Sequence, residues 1–245
     1  MGERGIRDSA LRRIRPPLHR AAVRAALAAM GLLLLPAPPL VPADTQSLDG
    51  VVELAEQGAP ATGAGGAVVW FEPDGGALHA APRAAAIDTR EKRFLPRVTV
   101  VSPRSTVAFP NRDPIFHNVF SVSAGNRFDL GRYREGETRS TRFDKPGLVR
   151  VYCNVHEQMI AYVMVVESPY HTVADEQGRF RLEGLPPGRG TLVVWHERAG
   201  SRRIPITIPA AESARIRLDA TLPLDLHHLD KFGRPYGAEG QDGYR

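Results

Sequence analysis

The sequence predicts an all-β protein in which one β-sandwich is followed by a second, smaller β-sandwich. From Gly50 onward, short runs rich in Val, Phe and Ile are separated by Gly, Pro, Asn and Asp, a pattern typical of strands joined by turns. No segment shows the apolar spacing of an amphipathic helix. The 245 residues, of which 42% are hydrophobic and 24% charged, suffice for one large or two small domains.

The first 43 residues have the composition of an export leader. They contain seven arginines, only Glu3 and Asp8 as acids, an apolar run at 25–35 and small residues around Ala43. An uncleaved membrane anchor is the alternative, but the run falls well short of the roughly 20 apolar residues that a bilayer helix needs. We expect cleavage before Asp44, a periplasmic or secreted mature protein, and no membrane span after leader removal.

The leader also accounts for the excess of positive charge. It holds seven of the 32 basic residues and two of the 27 acidic residues, so the mature chain keeps 25 of each. A formally neutral mature chain gives no electrostatic reason to bind a phosphate backbone. Nucleic acid is therefore not an expected partner.

The predicted strands fall into two groups. The first group is assigned to a domain at 44–167 and the second to a domain at 168–222, and the segment 223–245 lacks periodicity and is expected to be a flexible tail. The first group lies at 51–54, 67–71, 97–101, 105–109, 117–122, 140–143, 148–153 and 161–166, and the second at 191–195, 204–208 and 214–218.

Cys153 is the single cysteine of the chain. Exported proteins usually pair their cysteines, so a lone thiol is either buried and inert or used for chemistry. Cys153 ends a run in which Val149, Val151 and Cys153 alternate onto one face of a strand. We expect the thiol to point into the end of the sandwich.

The residues around this cysteine predict a metal site. His156 and Met159 follow Cys153 in the loop, and His117 begins another predicted strand. Two imidazoles, a thiolate and a weak axial thioether are the ligand set of blue copper centres, whereas zinc usually takes more cysteines or carboxylates. We predict one mononuclear type 1 copper site, with Met159 as the axial ligand and Met164 as the alternative.

The region from about residue 51 to 167 resembles a cupredoxin of the plastocyanin, pseudoazurin and amicyanin kind. The resemblance is carried by Phe-Leu-Pro at 94–96, Val-Ala-Phe-Pro-Asn at 107–111, His117-Asn118-Val119, Pro-Gly at 146–147, and Cys153-x-x-His156-x-x-Met159. It implies a Greek-key β-sandwich whose ligand-loop spacing is closest to that of amicyanin. It also implies that Asn118 hydrogen-bonds across to the loop that carries the thiolate.

Residues 169–222 resemble the carboxypeptidase regulatory-like domain, a transthyretin-like β-sandwich. The matching residues are Asp-Glu-Gln-Gly-Arg-Phe at 175–180, Leu-Pro-Pro-Gly at 185–188 and Leu-Val-Val-Trp at 192–195. No zinc-peptidase signature accompanies them. The two parts together resemble exported proteins labelled methylamine-utilisation proteins.

These observations predict a protein that transfers one electron to or from a periplasmic redox partner, with copper carriage or buffering as the alternative. A multicopper oxidase would flank the cysteine with histidines, where this chain has Tyr152 and Asn154, so we do not expect an enzyme. A metal-free adhesion module is a further alternative. The pair His227-His228 could bind a second metal, although a solvated tail is the simpler interpretation.

Overall fold

The computed structural model of the protein describes residues 45–76, 79–224 and 227–236. Its regular elements are all β-strands, so the predicted all-β class is confirmed. Among these residues, no helix is long and apolar enough to cross a membrane. The predicted leader, residues 1–43, lies outside the described residues.

The strands agree with the sequence-based prediction, because each of the eleven predicted strands overlaps an observed one. The observed strands are β1 (Gln46–Glu56), β2 (Ala59–Ala61), β3 (Val68–Pro73), β4 (Ala84–Ala86), β5 (Asp88–Arg90), β6 (Arg93–Leu95), β7 (Val98–Val101), β8 (Ser105–Pro110), β9 (His117–Ser121), β10 (Phe128–Tyr133), β11 (Thr138–Phe143), β12 (Gly147–Cys153), β13 (Ile160–Val165), β14 (His171–Val173), β15 (Arg179–Leu185), β16 (Gly188–His196), β17 (Gly200–Ile208) and β18 (Ala214–Asp219).

Strands β4 to β13 form one sandwich, which we call the inserted sandwich. One sheet has the order β10-β9-β12-β13-β7, a second has the order β11-β8-β4, and β5 and β6 form a separate hairpin. Phe109, Phe143, Val149 and Val151 are at most 1% exposed and form the core with Cys153. The alternating strands thus bury one face of each sheet against the other.

The remaining strands form a second sandwich, which we call the split sandwich. One sheet contains β15, β1 and β18 with β2 at its side, and the other has the order β14-β3-β16-β17. Strand β1 pairs antiparallel with β15 and parallel with β18, while β3 pairs with β14 and β16. Its core contains Leu54, Phe71, Leu182 and Leu192.

This pairing differs from the prediction that residues 44–167 form one domain and 168–222 another. Strands β1 and β3 precede the inserted sandwich in the chain, yet they pair with strands that follow it. Sequence patterns identify strands but not their partners, and the partners here lie more than a hundred residues away. The resemblance of residues 169–222 to the carboxypeptidase regulatory-like domain stays a prediction.

The two sandwiches pack against each other through an apolar cluster. Strand β13 turns Ala161, Val163 and Val165 into the core of the inserted sandwich, and it turns Tyr162 and Met164 to the other side. There they pack in one cluster with Trp195 and other residues of the split sandwich. An ion pair between Arg97 and Glu197, with 2.7 Å between Nη2 and Oε2, joins the two sandwiches beside this cluster.

Candidate metal centre

Cys153 lies where the alternation of β12 predicts it. Val149, Val151 and Cys153 are 1%, 0% and 0% exposed, so this face of β12 points into the core. Strand β9 begins at His117, which is also fully buried, and it pairs with β12 at Cys153 through Val119. Neighbouring strand ends thus bring the first histidine and the cysteine to the same end of the sandwich.

The loop after β12 folds the second histidine over the cysteine. The Met159 N–H donates to the His156 carbonyl at 3.2 Å, and the Cys153 N–H donates to the Met159 carbonyl at 3.3 Å. The Asn154 N–H donates to the Asn118 carbonyl at 2.8 Å. This tight turn brings His156 back toward the sulfur atom and fixes the loop to β9.

Both imidazoles direct their Nδ1 atoms toward the sulfur. The distance from Cys153 Sγ to Nδ1 is 3.5 Å for His117 and 3.7 Å for His156. The three potential ligand atoms lie within 4.8 Å of one another, and this is the one group of its kind found among residues 45–76, 79–224 and 227–236. The structure therefore brings together three of the predicted ligands.

These distances fit a shared metal ion. With metal bonds of about 2.3 Å to sulfur and about 2.05 Å to nitrogen, ligand angles between tetrahedral and trigonal place the two atoms roughly 3.6–3.8 Å apart. A thiol has one proton and can donate a hydrogen bond to one nitrogen at a time. A cation bound by all three atoms would account for the close approach of both imidazoles.

Met159 and Met164, the two candidate axial ligands, lie on different sides of β13. Met159 is fully buried in the same core cluster as Cys153. Met164 belongs to the cluster with Tyr162 and Trp195 on the opposite face of that strand. This separation favours Met159 over Met164 as the axial ligand, an assignment that stays a prediction.

Burial sets the protonation of the candidate ligands. Burial lowers the pKa of His117 although the Asp113 carboxylate raises it, and burial with the charges of His117 and Lys92 lowers the pKa of His156 to about 4. Both rings are thus neutral at pH 7 and can donate a lone pair to a metal. Burial raises the pKa of the Cys153 thiol, and backbone hydrogen bonds from Asn118 and neighbouring loop residues offset this in part. A bound cation would supply the positive charge that a buried thiolate needs.

Asp113, which the sequence analysis missed, contacts the back of His117. Its Oδ2 lies 2.9 Å from His117 Nε2, and its side chain is 8% exposed. The carboxylate also accepts the N–H groups of Glu91 (2.6 Å) and Lys92 (2.9 Å), residues with positive φ in the β5–β6 turn. Burial raises the pKa of Asp113, but these hydrogen bonds outweigh it and hold the pKa below its usual value.

This contact fixes the orientation of the imidazole. With Nε2 donating to the carboxylate, Nδ1 is left as the lone-pair nitrogen that faces the sulfur, and the ring becomes more basic. An acidic residue four positions before a candidate histidine ligand, in the proline-containing loop 111–116, is the signal that could have identified it.

Asn118 contacts the ligand loop through its main chain. Its carbonyl accepts the Asn154 N–H, and its own N–H is among the backbone hydrogen bonds that lower the pKa of Cys153. Its side-chain Nδ2 donates to Asp129 Oδ1 at 2.6 Å. The resemblance implied a hydrogen bond from Asn118 to the ligand loop. In the structure, the main-chain carbonyl of Asn118 forms a hydrogen bond with this loop.

The segment 227–236 is packed against the site, which differs from the expectation of a solvated tail. Tyr236 Oη donates to the Cys153 carbonyl at 2.7 Å, and the Lys231 N–H donates to Asn154 Oδ1 at 2.7 Å. His228 stacks on Tyr152 with 4.4 Å between ring centroids. A composition rich in Gly, Asp and His suggested a polar tail, but His228 and Tyr236 have specific partners on the sandwich. Residues 225–226 and 237–245 lie outside the described residues.

No protein-family model and no curated protein matches the chain. Among solved structures, the chain is similar to a purple cupredoxin from Nitrosopumilus maritimus, with 21% identity, coverage of 34% of this chain and 99% of that chain, and a TM-score of 0.30. It is similar to amicyanin from Paracoccus versutus at 17% identity, with coverage of 34% and 81% and a TM-score of 0.31. It is also similar to a Cu-containing nitrite reductase from Thermus scotoductus SA-01 at 23% identity, with coverage of 40% and 25% and a TM-score of 0.33. Each similarity covers 40% of the chain or less, so the geometry of the site carries the functional argument.

Proposed function

We propose that the protein is an exported type 1 copper protein that carries single electrons between redox partners in the periplasm. The observation that carries this proposal is the convergence of two imidazole Nδ1 atoms on one buried sulfur, at 3.5 and 3.7 Å. The class of site follows from its ligands, since two histidines and one cysteine with a nearby methionine suit both oxidation states of copper. Within that class, we assign the ligands His117, Cys153, His156 and Met159.

The surroundings of the ligands favour copper over zinc. Structural zinc sites usually take four cysteine or histidine ligands, and catalytic zinc sites keep a position open to water. Met159, the fourth ligand that we assign, is fully buried in the same core cluster as Cys153. A buried thioether is a poor zinc ligand and a common axial copper ligand.

The burial of the site favours electron transfer over catalysis. His117, Cys153 and Met159 are 0% exposed, whereas His156 is partly exposed. Bound copper supplies a one-electron couple between Cu(I) and Cu(II), and the protein holds the ligands in place in both states. The His156 ring edge is thus the part of the ligand set through which a partner protein could give or take an electron.

The proposal is tested by the visible spectrum of the mature protein with Cu(II), beside the Cys153→Ala and Met164→Leu variants. Charge transfer from the thiolate to copper should give an intense band that Cys153→Ala abolishes. Met164→Leu is the matched control, since it changes a buried residue on the other face of β13 and should keep the band. A colourless wild-type protein that still binds Cu(I) would refute the electron-transfer proposal and support copper carriage.

A further inference from the structure

The segment 227–236, which we call the C-terminal clamp, contacts the main chain of the candidate ligand loop. We propose that Tyr236 and Lys231 of this clamp are positioning residues that hold Cys153 and its loop in the ligating conformation. The inference rests on the proposed function in that the loop is taken to bind copper. The test of the inference includes a measurement on the metal-free protein, so that the inference and the proposed function can be refuted separately.

Two hydrogen bonds connect the clamp to the ligand loop. Tyr236 Oη donates to the carbonyl of Cys153, and the Lys231 N–H donates to the side chain of Asn154, each at 2.7 Å. Asn154 is 6% exposed, and its own N–H is already bound to the Asn118 carbonyl. The residues that carry and follow the thiol are therefore held by β9 on one side and by the clamp on the other.

The Lys231 side chain connects the clamp to the strands behind His117. Its Nζ lies 2.6 Å from Asp129 Oδ2 and 3.4 Å from Asn118 Oδ1. Asp129 also accepts a hydrogen bond from the Asn118 side chain at 2.6 Å. The Lys231 side chain is 18% exposed and the Asp129 side chain 42%, so solvent screens this ion pair in part. One residue thus binds both the cysteine loop and the residue that follows His117.

Aromatic packing covers the outer side of β12. The His228 ring lies 4.4 Å from the Tyr152 ring with an interplanar angle of 27°, and it meets the Tyr236 ring edge-on at 5.3 Å. Tyr152 directly precedes Cys153, and its side chain points away from the core that contains the thiol. The clamp therefore packs against the outer side of the end of β12, while Met159 lies in the core on its inner side.

The clamp has its own internal structure. The Asp230 carboxylate is almost fully buried and accepts the N–H groups of Phe232 and Arg234 at 2.9 and 2.8 Å. It also pairs with the Arg234 guanidinium at 3.0 Å. A turn fixed in this way loses less conformational entropy when it docks than a disordered tail would. These internal hydrogen bonds give the clamp a defined conformation, which a segment needs if it is to position the ligand loop.

The first measurement is the reactivity of Cys153 in the copper-free protein toward an aromatic disulfide reagent. Tyr236→Phe keeps the ring and removes the hydrogen bond to the Cys153 carbonyl, and we expect it to raise the rate about 2- to 10-fold, as for loss of one hydrogen bond. A chain that ends after Leu222 removes the whole clamp and should react faster still. Leu229→Ala is the matched control, because Leu229 belongs to the clamp but its side chain is 52% exposed.

The second measurement is the rate at which the copper-loaded protein loses copper to a chelator, with the charge-transfer band recorded before the chelator is added. Tyr236→Phe and Lys231→Ala should lose copper faster and show a shifted band, while Leu229→Ala should behave as wild type. Equal thiol reactivity in wild type, Tyr236→Phe and Lys231→Ala would overturn the inference, even if the shortened chain fails to fold. A wild-type protein that does not bind copper would instead refute the proposed function, and thiol reactivity would still test the clamp.

Discussion

Replacing Asp113 by Asn tests whether the carboxylate behind His117 tunes the proposed copper site. The carboxylate accepts a hydrogen bond from His117 Nε2 at 2.9 Å and is nearly buried. Asparagine keeps the shape and one acceptor oxygen but removes the negative charge. We expect the reduction potential to rise, because the carboxylate stabilises Cu(II), the more positive state, more than it stabilises Cu(I).

The size of the effect follows from the kind of hydrogen bond that is lost. A hydrogen bond to a charged group contributes about 1.5–3 kcal/mol and a neutral one about 0.5–1.5 kcal/mol, so the substitution removes about 1–1.5 kcal/mol. If most of this difference favours Cu(II), the potential rises by about 40–60 mV, since 59 mV corresponds to about 1.4 kcal/mol for one electron. The Asn amide would also face an N–H from the turn at Glu91 or Lys92, so we expect a loss of stability of roughly 1–3 kcal/mol.

Voltammetry of the copper-loaded protein measures the potential, and denaturant unfolding measures the stability. Asp144→Asn is the control, because it makes the same change of charge at an exposed ion pair with Arg142. A rise in potential that is equal in both variants would reflect net charge alone. An unchanged or lower potential in Asp113→Asn would refute the role assigned to this carboxylate.

Three further predictions concern protonation, the axial ligand and the domain boundary. The copper-free protein should lose stability as the pH falls from about 6.5 to about 4, because the unfolded chain binds a proton at His156 that the folded chain does not. The full shift corresponds to about 3 kcal/mol, and solvent screening of the partly exposed ring reduces it to roughly 1–2 kcal/mol, measurable by denaturant unfolding across this range. Met159→Leu should raise the reduction potential by tens of millivolts, roughly, because an axial donor stabilises Cu(II); voltammetry of Met164→Leu should show no such rise. A fragment of residues 44–167 should expose the segment 46–73 to protease, because β1 and β3 lose their partners β15, β18, β14 and β16.

Each of these predictions has an outcome that contradicts it. A His156→Ala variant with the same pH dependence as wild type would show that other groups cause the loss of stability. A shift in reduction potential in Met164→Leu but not in Met159→Leu would show that Met164 is the axial ligand and that the assignment of Met159 is wrong. Protection of the segment 46–73 in the fragment, equal to that in the longer chain, would show that the first domain includes these strands.

The sequence predicts the local parts of this molecule well, because local patterns determine them. Alternation along β12 places Cys153 in the core, and the short spacing from Cys153 to His156 forces both residues into one turn. The parallel pairing of β1 with β18 depends on contacts between distant segments, which alternation within either strand does not encode. The spacing of Asp113 from His117 was a local signal, but the hydrogen bonds that hold its carboxylate come from the distant β5–β6 turn, which the sequence pattern does not place beside it. The clamp was missed because a few specific contacts order a segment that composition describes as polar.

The insertion of one sandwich into the other sets an order for folding as the chain is made. The inserted sandwich has all its strands once residue 165 has emerged, whereas the split sandwich must wait for β18 at 214–219. Until the strands after the inserted sandwich emerge, β1 lacks β15 and β18, and β3 lacks β14 and β16. The apolar residues of β3, among them Val68, Val69 and Phe71, are then without the core that buries them in the finished protein. Such unpaired strand edges can associate with other chains during synthesis. The nascent chain is therefore most vulnerable to aggregation in the interval between completion of the inserted sandwich and arrival of the last strand of the split sandwich.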